Sequence, residues 1–96
     1  MFVVLLRYTK PLEEVDKHRP EHLQFLDRCY ATGKFICSGR RNPATGGVLL
    51  VNANSLEEVK EITQQDPYAR NQVAEYEFIE FTPSKYHPSF APFVEK

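Results

Sequence analysis

Apolar positions along this chain recur with two periods, and the switches between them mark its elements. Phe2 to Tyr8 is an almost unbroken apolar run rich in β-formers, which predicts a strand. Phe2, Val4, Leu6 and Tyr8 point one way, and Val3, Leu5 and Arg7 the other. Both faces are largely apolar, so both need cover. Thr9-Lys10-Pro11 ends the strand, and Leu12 to Lys17 reads as a short helical turn with Leu12 and Val15 on its apolar side. Arg19, ahead of a proline, is pushed out of helical geometry. Pro20 suits the first position of a new helix, so a break is expected at His18-Arg19. His22, Phe25, Leu26 and Cys29 then fall at i, i+3, i+4 and i+7, with Leu23 and Tyr30 widening the stripe. This helix is predicted from Pro20 to about Thr32, with Gly33 as its stop.

Alternation returns at Lys34 to Arg41, a second strand with Phe35 and Cys37 on one face and Ile36, Ser38 and Arg40 on the other. Gly39 inside it suggests a bulge or a close backbone approach. Asn42-Pro43-Ala44-Thr45-Gly46 has the residues of a hairpin turn, and Gly47 to Ala53 is a third strand, apolar on both faces. Ser55-Leu56-Glu57-Glu58 matches a capping box. It starts a helix to about Gln65 with Leu56, Val59 and Ile62 inward. Pro67 biases Asp66 out of that helix. Gln72 to Thr82 is a fourth strand, with Tyr76 and Phe78 on one face and Ile79 and Phe81 on the other.

The order strand–helix–strand–strand–helix–strand is the α+β, ferredoxin-like split βαβ pattern (βαββαβ). Right-handed crossovers put two helices on one face of a four-stranded antiparallel sheet. Helices cover one face only, yet the strands are apolar on both. An exposed apolar sheet face is an aggregation hazard, so a second subunit is expected on it, giving a homodimer and a dimeric α/β barrel. The domain is placed at residues 1–82. Residues 83–96 form a tail with three prolines and three aromatics (Tyr86, Phe90, Phe93), expected to lie across a subunit edge.

Length and charge narrow the picture. Ninety-six residues make one domain, and a domain this short buries only about 60–65% of its unfolded surface, so an oligomeric interface would help it. The net charge of −1 argues against a nucleic-acid partner. No run reaches the length of a membrane span, and Met1 to Leu6 is too short for a signal core. Cys29 and Cys37 read as reduced thiols, and the expected location is the cytoplasm.

His22 is the polar member of an apolar helical stripe, in the first turn, where the helix dipole disfavours the imidazolium. Such a residue serves either as an acid–base group or as a buried, hydrogen-bonded structural histidine. Asp66 follows the second helix. Antiparallel helices can bring the start of one near the end of the other. An Asp66–His22 hydrogen bond would fix the tautomer and raise the basicity of the imidazole. Asp66 is equally suited to cap its own Asp-Pro turn. Arg40 and Arg41 can hold a carboxylate or simply be solvated. Cys29 lies roughly 10 Å along the helix axis from His22, and both cysteines fit small buried hydrophobes better than nucleophiles. The histidines lack zinc spacing, since Pro20 spoils the His18–His22 pair, and no phosphate-binding glycine motif or G-x-S-x-G is present. No metal or cofactor is expected.

Arg19-Pro20-Glu21-His22-Leu23, Gly33, Ser38-Gly39, Ser55-Leu56-Glu57-Glu58 and Asp66-Pro67-Tyr68, in this order, resemble the YCII family of YciI-like proteins over roughly residues 2 to 82. The resemblance implies the dimeric α/β-barrel fold and a His–Asp active-site pair, here His22 and Asp66. It also implies kinship with a dehydrochlorinase of a chlorinated hydroxyhydroquinone. Family members often carry Gly-Pro where this chain has Gly39-Arg40. The resulting expectation is a cofactor-independent enzyme of lyase or isomerase type. His22 and Asp66 would be catalytic, and Arg19, Ser38, Arg40 and Tyr68 would contact a small anionic or aromatic molecule. The alternative is a non-catalytic dimer that binds or senses a small metabolite.

Overall fold

A computed structural model describes residues 1–95; the last residue of the tail, Lys96, lies outside the described residues. The elements are β1 (Phe2–Tyr8), α1 (Leu12–Asp16), α2 (Arg19–Ala31), β2 (Phe35–Arg40), β3 (Gly46–Val51), α3 (Leu56–Thr63), α4 (Pro67–Arg70) and β4 (Ala74–Glu80), followed by a 3₁₀ turn, Pro88–Phe93. The strands form one antiparallel sheet in the order β2-β3-β1-β4. This is the ferredoxin-like α+β arrangement anticipated from the element order.

The helices bury one sheet face. Phe2, Val4 and Leu6 of β1, Leu49 and Val51 of β3 and Phe35 of β2 meet Phe25, Leu26 and Cys29 of α2 and Val59 of α3 in one core. Val15 seats α1 on that core, while Leu12 is exposed. Leu56, expected to face inward, is also partly exposed, and the buried side of α3 is Val59 and Thr63. Ser55 caps α3 by accepting the N–H of Glu58 at 3.1 Å, and the Glu58 carboxylate reaches back to the N–H of Asn54 at 2.9 Å. Gly33, at φ +78°, ends α2 in the left-handed conformation that favours glycine.

Several expectations are corrected. Helix α2 begins at Arg19, one residue before Pro20, with His18 as its N-cap. The Asp66-Pro67-Tyr68 turn opens a further short helix, α4. The bulge in β2 lies between Phe35 and Cys37 and not at Gly39, where an added Cβ would meet only open space. That extra residue changes the faces of β2. Phe35 pairs with Val51, but Cys37 pairs with Leu50 and Ser38 with Leu49. Phe35 therefore shares the helix face with Ser38 and Arg40, and Cys37 points to the other side. Without the bulge, Ser38 and Arg40 would face away from α2.

The opposite sheet face carries Val3, Leu5, Val48, Leu50 and Ile79, with Val48 and Ile79 exposed at 37% and 42%. The tail folds back on its own chain, where the Phe93 carbonyl accepts the Asn52 side-chain N–H at 2.7 Å. No helix among the described residues is long and apolar enough to cross a membrane.

Candidate active site

The end of β1, the last residues of β2 and the start of α2 line a cavity of about 160 Å³. Its wall includes Leu6, Tyr8, Arg19, His22, Arg40 and Tyr68, and Ser38 also reaches it. Five of the six residues singled out from sequence thus share one cavity. The sixth, Asp66, stands behind His22, with no exposed surface.

Each side chain is placed by a local cause. The N–H of His22 bonds to the His18 carbonyl at 3.0 Å, which closes the first turn of α2. The side chain then enters the core stripe and is only 8% exposed. Pro67 holds Asp66 in extended geometry (φ −64°, ψ 129°), so its carboxylate folds forward over the start of α4. There Asp66 Oδ1 accepts the Tyr68 N–H at 2.9 Å and lies 2.7 Å from His22 Nδ1. Turn capping and the histidine contact, which the sequence posed as alternatives, use the same oxygen. Oδ2 accepts the Tyr76 hydroxyl at 2.6 Å.

This geometry sets the tautomer. With the Asp66 carboxylate as acceptor, a neutral His22 donates from Nδ1, which puts its lone pair on Nε2. Nε2 has no hydrogen-bond partner among the described residues, and it is not one of the sealed polar atoms. The Tyr68 ring stacks on the imidazole at 3.8 Å between centroids and 6° between planes, and Tyr8 meets Tyr68 edge-on at 6.1 Å. Burial first, then the Asp66 carboxylate, push the Tyr76 hydroxyl well above the usual phenol range. It therefore stays protonated and remains a donor to Asp66.

At the rim, Arg40 Nε donates to the Tyr8 hydroxyl at 3.1 Å and a second guanidinium nitrogen to Asp16 Oδ1 at 2.6 Å. These two bonds, that to Asp16 first, push the guanidinium further above its ordinary range, so Arg40 stays charged. The Ser38 hydroxyl is engaged by Tyr30 at 2.6 Å. Cys29 sits in the core with its thiol pushed up to about 11, chiefly by burial. Among the described residues no three His, Cys, Asp or Glu side chains gather as a metal-ligand set.

Sequence reasoning passed over Tyr76, Tyr8 and Asp16. Tyr76 and Tyr8 lie on the helix-facing sides of β4 and β1, opposite Leu6 and Ala74 respectively. The signal available was a tyrosine at an inward strand position, where a buried hydroxyl needs a partner.

Comparison with known proteins bears on the family and the fold. The YCII-related domain matches residues 1–82. The chain belongs to the YCII family. An uncharacterised protein of Bacillus subtilis (strain 168), YjpA, is 34% identical over 67 residues, which is 70% of this chain and 79% of that one. A solved structure with the same fold is the 5-chloro-2-hydroxyhydroquinone dehydrochlorinase TftG of Burkholderia phenoliruptrix AC1100, in complex with 2,5-dihydroxybenzoquinone. It superposes with a TM-score of 0.70 at 20% identity, over 84% of this chain and 93% of the other. At that identity the likeness establishes the fold.

Proposed function

We propose that this YCII protein is a small-molecule enzyme of lyase or isomerase type, with His22 as its proton-transfer group. The observation that carries the reading is the 2.7 Å contact between His22 Nδ1 and the buried Asp66, which leaves Nε2 without a partner among the described residues on a ring that lines the cavity. A general base needs an available lone pair, a fixed orientation and a partner for the imidazolium it becomes. Asp66 supplies the last two and acts as the orienting residue. In an elimination, Nε2 takes a proton from the substrate. The electron pair released forms a new double bond, and the leaving group departs with its bonding pair as an anion. No outside oxidant or reductant is needed. In an isomerisation the same nitrogen returns the proton at another atom. Ser38, Arg19, Arg40 and Tyr68 are proposed to contact the substrate.

The same reading assigns the apolar outer face of the sheet to a second copy of the chain. Val3, Leu5, Val48, Leu50 and Ile79 form a stripe whose burial would complete a dimeric α/β barrel. Two free thiols fit a reducing compartment such as the cytoplasm.

The test is chloride release from 5-chloro-2-hydroxyhydroquinone, followed by a thermal-shift screen of halogenated or hydroxylated aromatic acids and lactones. His22→Ala is expected to lose at least about 10²-fold of any turnover found, and Asp66→Asn a comparable amount. Full activity in both variants would overturn the reading. Ligands that bind at the cavity without any turnover would leave the metabolite-binding dimer in its place.

A further inference from the structure

The Tyr68 hydroxyl is the one side-chain polar atom among the described residues that is both sealed from solvent and without a hydrogen-bond partner. Its residue lines the cavity and is 1% exposed. A buried hydroxyl without a partner is costly, and such groups in native proteins call for an explanation. The surroundings offer one. Arg19 and Arg40 belong to the same wall. Helix α2, thirteen residues long, starts beside it with no side chain capping its N-terminus. Two guanidinium groups, the positive end of a helix and a donor without an acceptor all favour negative charge on oxygen. Arg40 has two of its five donors engaged, by Tyr8 and Asp16. The volume, about 160 Å³, is close to that of an engineered cavity, about 150 Å³, that takes benzene.

We propose that the Tyr68 hydroxyl, with Arg40 and Arg19, forms a subsite for an ionised oxygen on the edge of a single-ring ligand. The inference deepens the reading of this cavity as the substrate site and rests on it. The ring lies in the apolar part of the cavity, against Leu6 and Leu49. Its carboxylate or enolate oxygen accepts from Tyr68 and is neutralised by the arginines. The hydroxyl is enclosed, so a wall side chain must yield as the oxygen enters. Arg40, a long side chain held by one exposed bond to Asp16 and one part-buried bond to Tyr8, is the wall residue that yields.

The probes are benzoate and its neutral isostere benzamide, with binding followed by NMR shifts of the cavity residues in wild type, Tyr68→Phe and Arg40→Gln. A second pair, 4-nitrophenolate and nitrobenzene, separates an enolate-like oxygen from a carboxylate. The anion of at least one pair is expected to bind more tightly than its neutral partner. Each variant is expected to weaken that anion about tenfold or more, leaving the neutral compound unchanged. Tyr68→Phe should melt no lower than wild type, because the lost hydroxyl had no partner. Anion and neutral compounds bound equally, or Tyr68→Phe without effect on the anion, would overturn the subsite while sparing the cavity as a ligand site. No shifts at the cavity with any probe would overturn both.

Discussion

The Tyr76 hydroxyl donates to Asp66 Oδ2 at 2.6 Å, joining β4 to the N-cap of α4 from 10 positions further along the chain. It divides the carboxylate between two tasks. Oδ1 holds the Tyr68 N–H and the His22 ring, and Oδ2 is anchored to the sheet. Asp66 therefore ties α2, α4 and β4 together at one buried point.

Removing that anchor should be felt in the fold. Tyr76→Phe keeps the ring and deletes one of three donors to a buried carboxylate. Hydrogen bonds to charged groups are worth about 1.5–3 kcal/mol. The urea midpoint is expected to fall by the equivalent of that range with an unchanged denaturant slope. Any turnover should fall with it, since the imidazole loses part of its support. An unchanged midpoint would mean that Asp66 does not depend on β4.

Three acids are held neutral by the fold, and this makes stability alkaline-sensitive. Burial is the largest cause for each of Cys29, Tyr68 and Tyr76. Cys29 moves from 9.0 to about 11. Between those values the unfolded chain has lost the thiol proton and the folded chain retains it. The folded state binds more protons, so stability falls as pH rises through that window. The tyrosines add a loss of the same sign above their ordinary 10.0. Urea unfolding at pH 8, 9, 10 and 10.5 is expected to give falling midpoints. Cys29→Ala should flatten the slope between pH 9 and 10, and an equal slope in that variant would contradict the assignment.

Gly46 tests how the site is seated on the sheet. A Cβ there would sit 1.8 Å from the Leu6 carbonyl oxygen, a backbone atom that cannot swing aside. Gly46→Ala must push β3 from β1 beside Leu6 and Gly47, two residues of the cavity wall. Its cost is expected at or above the upper end of the roughly 1–3 kcal/mol of ordinary overpacking. Gly39→Ala, where a Cβ meets nothing, should cost far less, and equal midpoints for the two would refute the close approach.

The fold was largely legible because its information is periodic. Phe2 to Tyr8 and His22 to Cys29 show their periods directly, and element order then fixes the split βαβ topology. The bulge was not legible. One inserted residue after Phe35 breaks a strict period of two, and nothing in Phe35-Ile36-Cys37 signals which residue is extra. The error exchanged the faces of Cys37 on one side and of Ser38 and Arg40 on the other relative to Phe35, while leaving Ser38 and Arg40 on one face together. Of the site, His22 and Asp66 could be singled out because prolines beside them fix local geometry. Tyr76 could not, since its role depends on meeting a carboxylate from another element. The same holds for the link from Arg40 to Asp16, 24 positions apart.

The central claim is that Asp66 holds His22 with its proton on Nδ1 and its lone pair on Nε2. Long-range ¹⁵N–¹H correlation spectra of the histidine side chains read this directly. The account predicts that neutral His22 shows a protonated Nδ1 and an unprotonated Nε2, and that Asp66→Asn abolishes this preference. A neutral His22 that carries its proton on Nε2, or that averages the two tautomers as an exposed histidine does, would contradict it.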